Sequence, residues 1–283
     1  MVTLKGATFG WEAAEPIHSS VSLTVERGMR LAILGPNGAG KTTTFKMLSG
    51  QFPPTSGDAL VTPHPSGAAA AASAASSSRS SSGSCSGSGS SVNYSTSSSY
   101  SILTQLARVR QHVGYCPQFD ALQGTMTATD HLLFYGAIRG LDATAAAAAA
   151  ESLIDRLGIR RHACSPAGGY SGGTRRKLSV AVSLVGDPAV VLLDEPSTGM
   201  DPESRRQLWE VLASSAAAGR CMVLTSHSME ECEALCHRVG IMVGGKLRCV
   251  GPVQRLKSGR YGEGHTLDLR VSNLDRVDED DED

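Results

Sequence analysis

Short, wholly apolar runs alternate along this chain with longer stretches in which apolar residues return every three or four positions. The runs Met29–Leu34, Val190–Leu193 and Met222–Thr225 predict buried strands, and Gly240–Val243 predicts a further one. Strands separated by helical patterns in this way predict an α/β fold with a mostly parallel sheet. Each of the first three runs stops abruptly at a polar stretch: GPNGAGKTTT, DEPSTGMD and SH. Open sheets of this class bind ligands just beyond the carboxyl ends of their strands, so chemistry is expected there. From about residue 125 to 185 the pattern is mainly helical, which predicts a helical lobe set into the core. Within it Ala145–Ala150 runs into ESLIDRLGI, whose Leu153, Ile154 and Leu157 recur at helical spacing.

Two segments break the pattern. Residues 66–101 are almost wholly Ser, Ala and Gly, too poor in large apolar groups to offset the entropy of ordering them. They are expected to form a disordered surface insertion, tolerated between core elements. The extension over 260–283 closes on the acidic run Asp278–Asp283, a solvated tail. The rest of the 283 residues, at 41% hydrophobic and 19% charged overall, is ample for a core. A formal net charge of −1 gives no electrostatic reason for a nucleic-acid partner, and none is expected. The apolar run Ala189–Leu193 ends at Asp194, far short of the roughly 18 residues a membrane span needs. MVTLKGATFGW does not resemble a secretory signal, and seven scattered cysteines point to reduced thiols in a cytosolic setting. Cys232 and Cys236 beside His237 have a metal-like spacing, but one buried helical stripe produces the same spacing and is the preferred reading.

The stretch after Leu34 matches G-x-x-x-x-G-K-[ST], the loop whose glycines let backbone N–H groups wrap phosphate. Gly35, Pro36, Asn37, Gly38, Ala39, Gly40, Lys41, Thr42 and Thr43 are therefore the candidate ATP-binding residues. A helix beginning near Lys41 adds its positive end; Lys41 reaches the β- and γ-phosphates, and Thr42 offers a hydroxyl to Mg²⁺. Asp194 and Glu195 close a buried strand where a turn residue is usual, so Asp194 is assigned to Mg²⁺ and Glu195 to the general base. His227 ends another apolar run as a third catalytic candidate with Glu195 and Lys41. Gln118 is placed at the metal or the attacking water, and Trp11 is a candidate to stack on a purine.

These motifs, with Tyr170-Ser171-Gly172-Gly173-Thr174 and Asp201, stand in the order found in the ATP-binding cassette family, which the chain resembles apart from the insertion and tail. GYCPQFDAL, RRKLSVAVSLVGDPAVVLLDEPSTGMDP and TSHSMEECEALCHRVGIMVGGKLRCVG further resemble subfamily A, large eukaryotic transporters that mostly move lipids, and its second nucleotide-binding domain in particular. The resemblance implies a nucleotide-binding domain over residues 1–259: a P-loop NTPase core with an antiparallel β subdomain and an inserted helical subdomain. It implies ATP hydrolysis with Mg²⁺ on the cytoplasmic face of a membrane, with transmembrane domains and a second cassette as partners. In such a pair Ser171, Gly172 and Gly173 would close on the γ-phosphate held by the partner's loop, with Asp201 at the same contact. Ser171 is expected to cap a helix whose dipole and glycine N–H groups make an anion site. Arg175, Arg176 and Lys177 on that helix are expected to form a solvated basic face. Tyr170 stands where leucine is usual and Thr174 where glutamine or methionine is common, which is expected to alter packing more than contact. The alternative is a soluble cassette ATPase acting on ribosomes or DNA, although the long coiled-coil insertions and basic stretches usual in such proteins do not occur.

Overall fold

Both faces of a central sheet are covered by apolar layers, and the sequence of its strands explains why. The computed structural model describes residues 1–9, 18–62 and 99–257. In it Arg30–Leu34 (β3), Val113–Cys116 (β6), Val190–Asp194 (β7), Cys221–Ser226 (β8) and Arg238–Val243 (β9) lie parallel, and Lys246–Pro252 (β10) pairs antiparallel with β9. Spatial order is β10-β9-β3-β8-β7-β6. Every position of β7 and β8 is buried, which accounts for apolar runs without alternation. Alternation survives as a division between two cores. Leu31, Ile33, Val190, Leu192, Cys221 and Val223 join one cluster with Phe45, Met47 and Leu48 of the helix Lys41–Leu48 (α1). Ala32, Val191, Leu193, Met222 and Leu224 face the other cluster, which contains most of the helical lobe's apolar residues.

A second sheet, antiparallel, runs in the order β2-β1-β4-β5 from Val2–Phe9 (β1), His18–Val25 (β2), Ser56–Val61 (β4) and Tyr100–Ser101 (β5). The fold is therefore the expected α/β type with an antiparallel sheet beside a mainly parallel one. One boundary differs. The insertion expected to run to residue 101 gives way to order earlier, since Leu60 pairs with Ser101 and Val61 with Tyr100. Tyr100 supplies the reason: its ring stacks on His112 at 5.7 Å and carries the Arg108 guanidinium at 5.6 Å, contacts a Ser/Gly composition does not foretell. Residues 66–98 of the insertion and the extension 260–283 lie outside the described residues.

Between β5 and β6 stands Leu106–His112 (α2); between β6 and β7 stand Ala128–Ile138 (α3), Ala143–Arg156 (α4) and Gly172–Leu184 (α5). Thr127 and Asp130 form a reciprocal capping box at α3, and Asp142 caps the alanine-rich α4. Two contacts set where α5 lies. A Cβ on Gly114 of β6 would stand 2.0 Å from the Ser183 carbonyl of α5, so glycine alone permits this approach of helix to strand. Tyr170, 6% exposed, has its hydroxyl within reach of the His162 carbonyl and of the Ser165 carbonyl (2.9 Å), and accepts from the Ala128 N–H at 3.2 Å. That hydroxyl ties the loop before α5 to the start of α3. Leucine could make none of these bonds, so the departure at Tyr170 does repack the lobe. Pro202–Ala217 (α6), Met229–Leu235 (α7) and Val253–Lys257 (α8) complete the helices described.

Gly114→Ala must push α5 off β6 and is expected to cost about 1–3 kcal/mol as overpacking, read as a lowered Tm in thermal unfolding. Tyr170→Phe leaves the buried Ala128 N–H without its acceptor and is expected to cost about 1–3 kcal/mol, measured by denaturant titration with an unchanged m-value.

Candidate functional site

The loop after β3 is shaped by three glycines. A Cβ on Gly35 would meet the Met242 carbonyl at 2.3 Å, so the loop can cross β9 only without a side chain there. Gly38 (φ 79°) and Gly40 (φ 99°) take left-handed backbone that turns the chain into α1. Gly40 is the N-cap and brings no side chain to the helix end, which leaves the first N–H groups of α1 free to meet an anion. Lys41, 6% exposed, turns its ammonium onto the Gly35 and Pro36 carbonyls at 2.7 and 3.1 Å. Asn37, Gly38, Ala39, Gly40, Lys41, Thr42 and Thr43 line a cleft of about 320 Å³ whose far wall is Gln118 and Glu195. Gly35 and Pro36 reach it only through the ammonium they hold.

Beneath that wall lies a buried carboxylate with one oxygen unmet. Asp194 is 1% exposed; its Oδ1 accepts from the Thr225 hydroxyl, while its Oδ2 is buried with no hydrogen-bond partner. A buried carboxylate oxygen without a donor is costly unless a cation meets it. The hard oxygens of Asp194 and Thr42 are the donor type that Mg²⁺ takes, so these residues fit that ion. Glu195, 7% exposed, has φ 48°, outside the range most non-glycine residues adopt. Its N–H donates to the Thr225 carbonyl and hydroxyl at 3.2 and 3.0 Å. Its Oε2 receives Gln118 Nε2 at 3.4 Å and Thr198 Oγ1 at 3.2 Å, with His227 Nδ1 at 3.5 Å. The His227 side chain itself is 61% exposed, between β8 and α7. Its loop is braced from below: Ser226 Oγ donates to the buried Glu231 carboxylate at 2.6 Å and accepts from the Ser228 N–H at 3.0 Å.

Ser171, Gly172 and Gly173 are held apart from this cleft. Ser171 caps α5, its Oγ accepting the Thr174 N–H at 3.2 Å and lying 2.9 Å from the Thr174 hydroxyl. Thr174 thus supports the cap instead of disturbing it. Asp201 caps α6 through the Ser204 N–H at 2.9 Å, and hydrogen bonds from Ser204 hold its carboxyl below the usual carboxylate range. A Cβ on Gly173 would lie 3.7 Å from Asp201 Oδ1, so the two turns form one surface. The structure therefore brings the phosphate loop, Gln118, Asp194, Glu195 and His227 to one place, and Ser171–Gly173 with Asp201 to another. Trp11 lies outside the described residues.

The expected solvated face on α5 is corrected. The Arg175 side chain is 44% exposed, but Arg176 and Lys177 are only 4% and 7% exposed. Lys177 Nζ donates to Gln207 Oε1 of α6 at 2.6 Å, and burial holds its pKa below the ordinary lysine value. Arg176 turns inward onto backbone carbonyls at the carboxyl edge of the sheet. Sequence reasoning also passed over Thr225 and Glu231. The first could have been found from strand register, since Thr225 stands opposite Asp194.

Comparison with known proteins agrees with this geometry. The family model described as "ABC transporter" matches residues 18–198, and one described as "AAA domain, putative AbiEii toxin, Type IV TA system" matches residues 166–233. The chain is 43% identical over 260 residues to the human "Retinal-specific phospholipid-transporting ATPase ABCA4", covering 92% of this chain and 10% of that protein. It is 45% identical over 256 residues to the mouse "ATP-binding cassette sub-family A member 7", covering 90% of this chain and 10% of that protein. It thus spans about a tenth of the length of these relatives. Among solved structures, "Structure of ATP binding subunit of ABC transporter" aligns with a TM-score of 0.72 at 21% identity, over 91% of this chain and 92% of that one. "Dimeric structure of a post-hydrolysis state of the ATP-binding cassette MJ0796 bound to ADP and Pi" aligns with a TM-score of 0.70 at 17% identity, over 89% and 99%. A family model over residues 18–198, and subfamily A relatives matched along nine-tenths of the sequence, show that this chain belongs to the ATP-binding cassette transporter family.

Proposed function

We propose that the chain binds and hydrolyses ATP as the nucleotide-binding domain of a lipid-moving transporter on the cytoplasmic face of a membrane. The observation that carries this is the pairing of an unmet Asp194 oxygen and a cleft-facing Glu195 with a complete phosphate loop. Backbone N–H groups of Gly38–Lys41 and the start of α1 bind the phosphates, and Lys41 moves its charge from the Gly35 and Pro36 carbonyls to the β- and γ-phosphate oxygens. Thr42, Asp194 and Gln118 are the residues that would hold Mg²⁺, which when bound neutralises charge building on the phosphate oxygens. Glu195 takes a proton from the attacking water as its oxygen bonds to the γ-phosphorus; the bridging P–O bond breaks and its electron pair leaves with ADP. His227 and Gln118, both at Glu195 Oε2, hold that carboxylate toward the cleft.

Ser171 lies outside the cleft of its own chain, which supports a head-to-tail pair in which each signature turn completes the other's site. Two dimeric cassettes among the similar folds are consistent with such a pair. Partner transmembrane domains are assigned to a second depression, of about 310 Å³, lined by Asp120, Leu122, Gly124, Ala167, Gly168 and Arg175, near the 72% exposed Phe119. The phospholipid named for some relatives supports a lipid as the transported molecule. No helix among the described residues is long and apolar enough to cross a membrane.

Glu195→Gln is expected to lower turnover about 10²–10⁴-fold while leaving ATP binding and trapping an ATP-dependent dimer, read by light scattering. Ser171→Ala is expected to lower turnover while sparing ATP affinity. Wild-type rates in both variants would refute the assignment.

A further inference from the structure

One side chain of the signature helix returns beneath the catalytic residues. The Arg176 guanidinium donates through Nε to the Pro196 carbonyl at 3.1 Å. Nη1 reaches the carbonyls of Pro117 and Gln118 at 2.6 and 3.2 Å, and Nη2 those of Asp194 and Glu195 at 2.5 and 3.0 Å. Asp120 Oδ1, 3.5 Å from Nη1, supplies counter-charge. The five acceptors belong to two chain segments, one carrying Gln118 and the other carrying Asp194 and Glu195. A guanidinium presents five N–H donors in one rigid plane, and no other side chain can span these carbonyls at once.

The left-handed backbone of Glu195 gives this bracket a purpose. A non-glycine residue keeps such a conformation only where its surroundings over-determine it. Here the carbonyls of Asp194, Glu195 and Pro196 are all held by Arg176, and the Glu195 N–H is held by Thr225. We propose that Arg176 is a positioning residue for hydrolysis: it fixes the backbone that aims the Glu195 carboxylate, and it carries displacements of the signature helix α5 to Glu195 and Gln118 together. Arg176 touches neither phosphate nor water in this role. The proposal rests on Glu195 being the general base, as proposed above.

The test uses the full chain with Arg176→Lys and Arg176→Gln, each also combined with Glu195→Gln. Lysine keeps the charge but not the planar fork, so it is not expected to rescue. Both single variants should keep a cooperative thermal transition and bind a fluorescent ATP analogue within about threefold of wild type, while kcat falls about ten- to a hundredfold. Added to Glu195→Gln, either change should lower the remaining rate no further, because Arg176 acts through that carboxylate. Four results would overturn the proposal. They are wild-type kcat in both single variants, affinity and kcat falling in proportion, an additive further loss in the double variants, or loss of cooperative unfolding in both. Wild-type turnover in Glu195→Gln alone would identify the base assignment as the part in error.

Discussion

The parallel pairing of β7 with β8, in which Asp194 stands opposite Thr225, is the contact on which the site depends. The Thr225 hydroxyl has one proton to give and lone pairs to receive. It gives the proton to Asp194 and receives the N–H of Glu195. One side chain therefore sets both carboxylates. A one-residue slip in register would send Thr225 to the opposite face of the sheet and undo both bonds. On the other side of β8, Leu34 of β3 stands opposite Ser226. The phosphate loop, the carboxylates and His227 thus leave the sheet at one edge because three neighbouring strands are in step.

That register is protected by burial on both faces. The inner strands divide their side chains between two apolar clusters, and the polar groups are confined to the strand ends. Most of those end groups have protein partners. Glu231 meets Ser226, Glu195 meets Gln118, Thr198 and His227, and Lys41 meets two loop carbonyls. The second oxygen of Asp194 has none. A site satisfied by its own chain everywhere but at one buried anionic oxygen carries its demand for a cation in the fold itself.

Much of this could be read in the sequence because local chemistry dictated it. Continuous apolar runs mark strands covered on both sides, and the phosphate loop is defined by glycines whose conformations only glycine supplies. The helical lobe was visible through Leu153, Ile154 and Leu157, all buried as their spacing required. What stayed hidden depends on distant neighbours. Arg176 and Lys177 read as surface charges because nothing local announces that carbonyls of other segments, or Gln207, will meet them. Thr225 passed as one more strand residue, and Tyr100 was lost in a low-complexity run although it joins the edge of a sheet. Tyr170 was noticed as a departure, but its three backbone partners lie on segments that only folding brings together.

The Tyr170 hydroxyl joins the start of α3, the turn holding His162 and Ser165, and the residue next to Ser171. The outer lobe and the signature serine consequently share a single degree of freedom. A push on the lobe's surface is delivered at Ser171 as a change of angle, with no separate hinge between them to absorb it. Geared in this way, the lobe can report on a distant partner only by moving the very turn that would close another cassette's site.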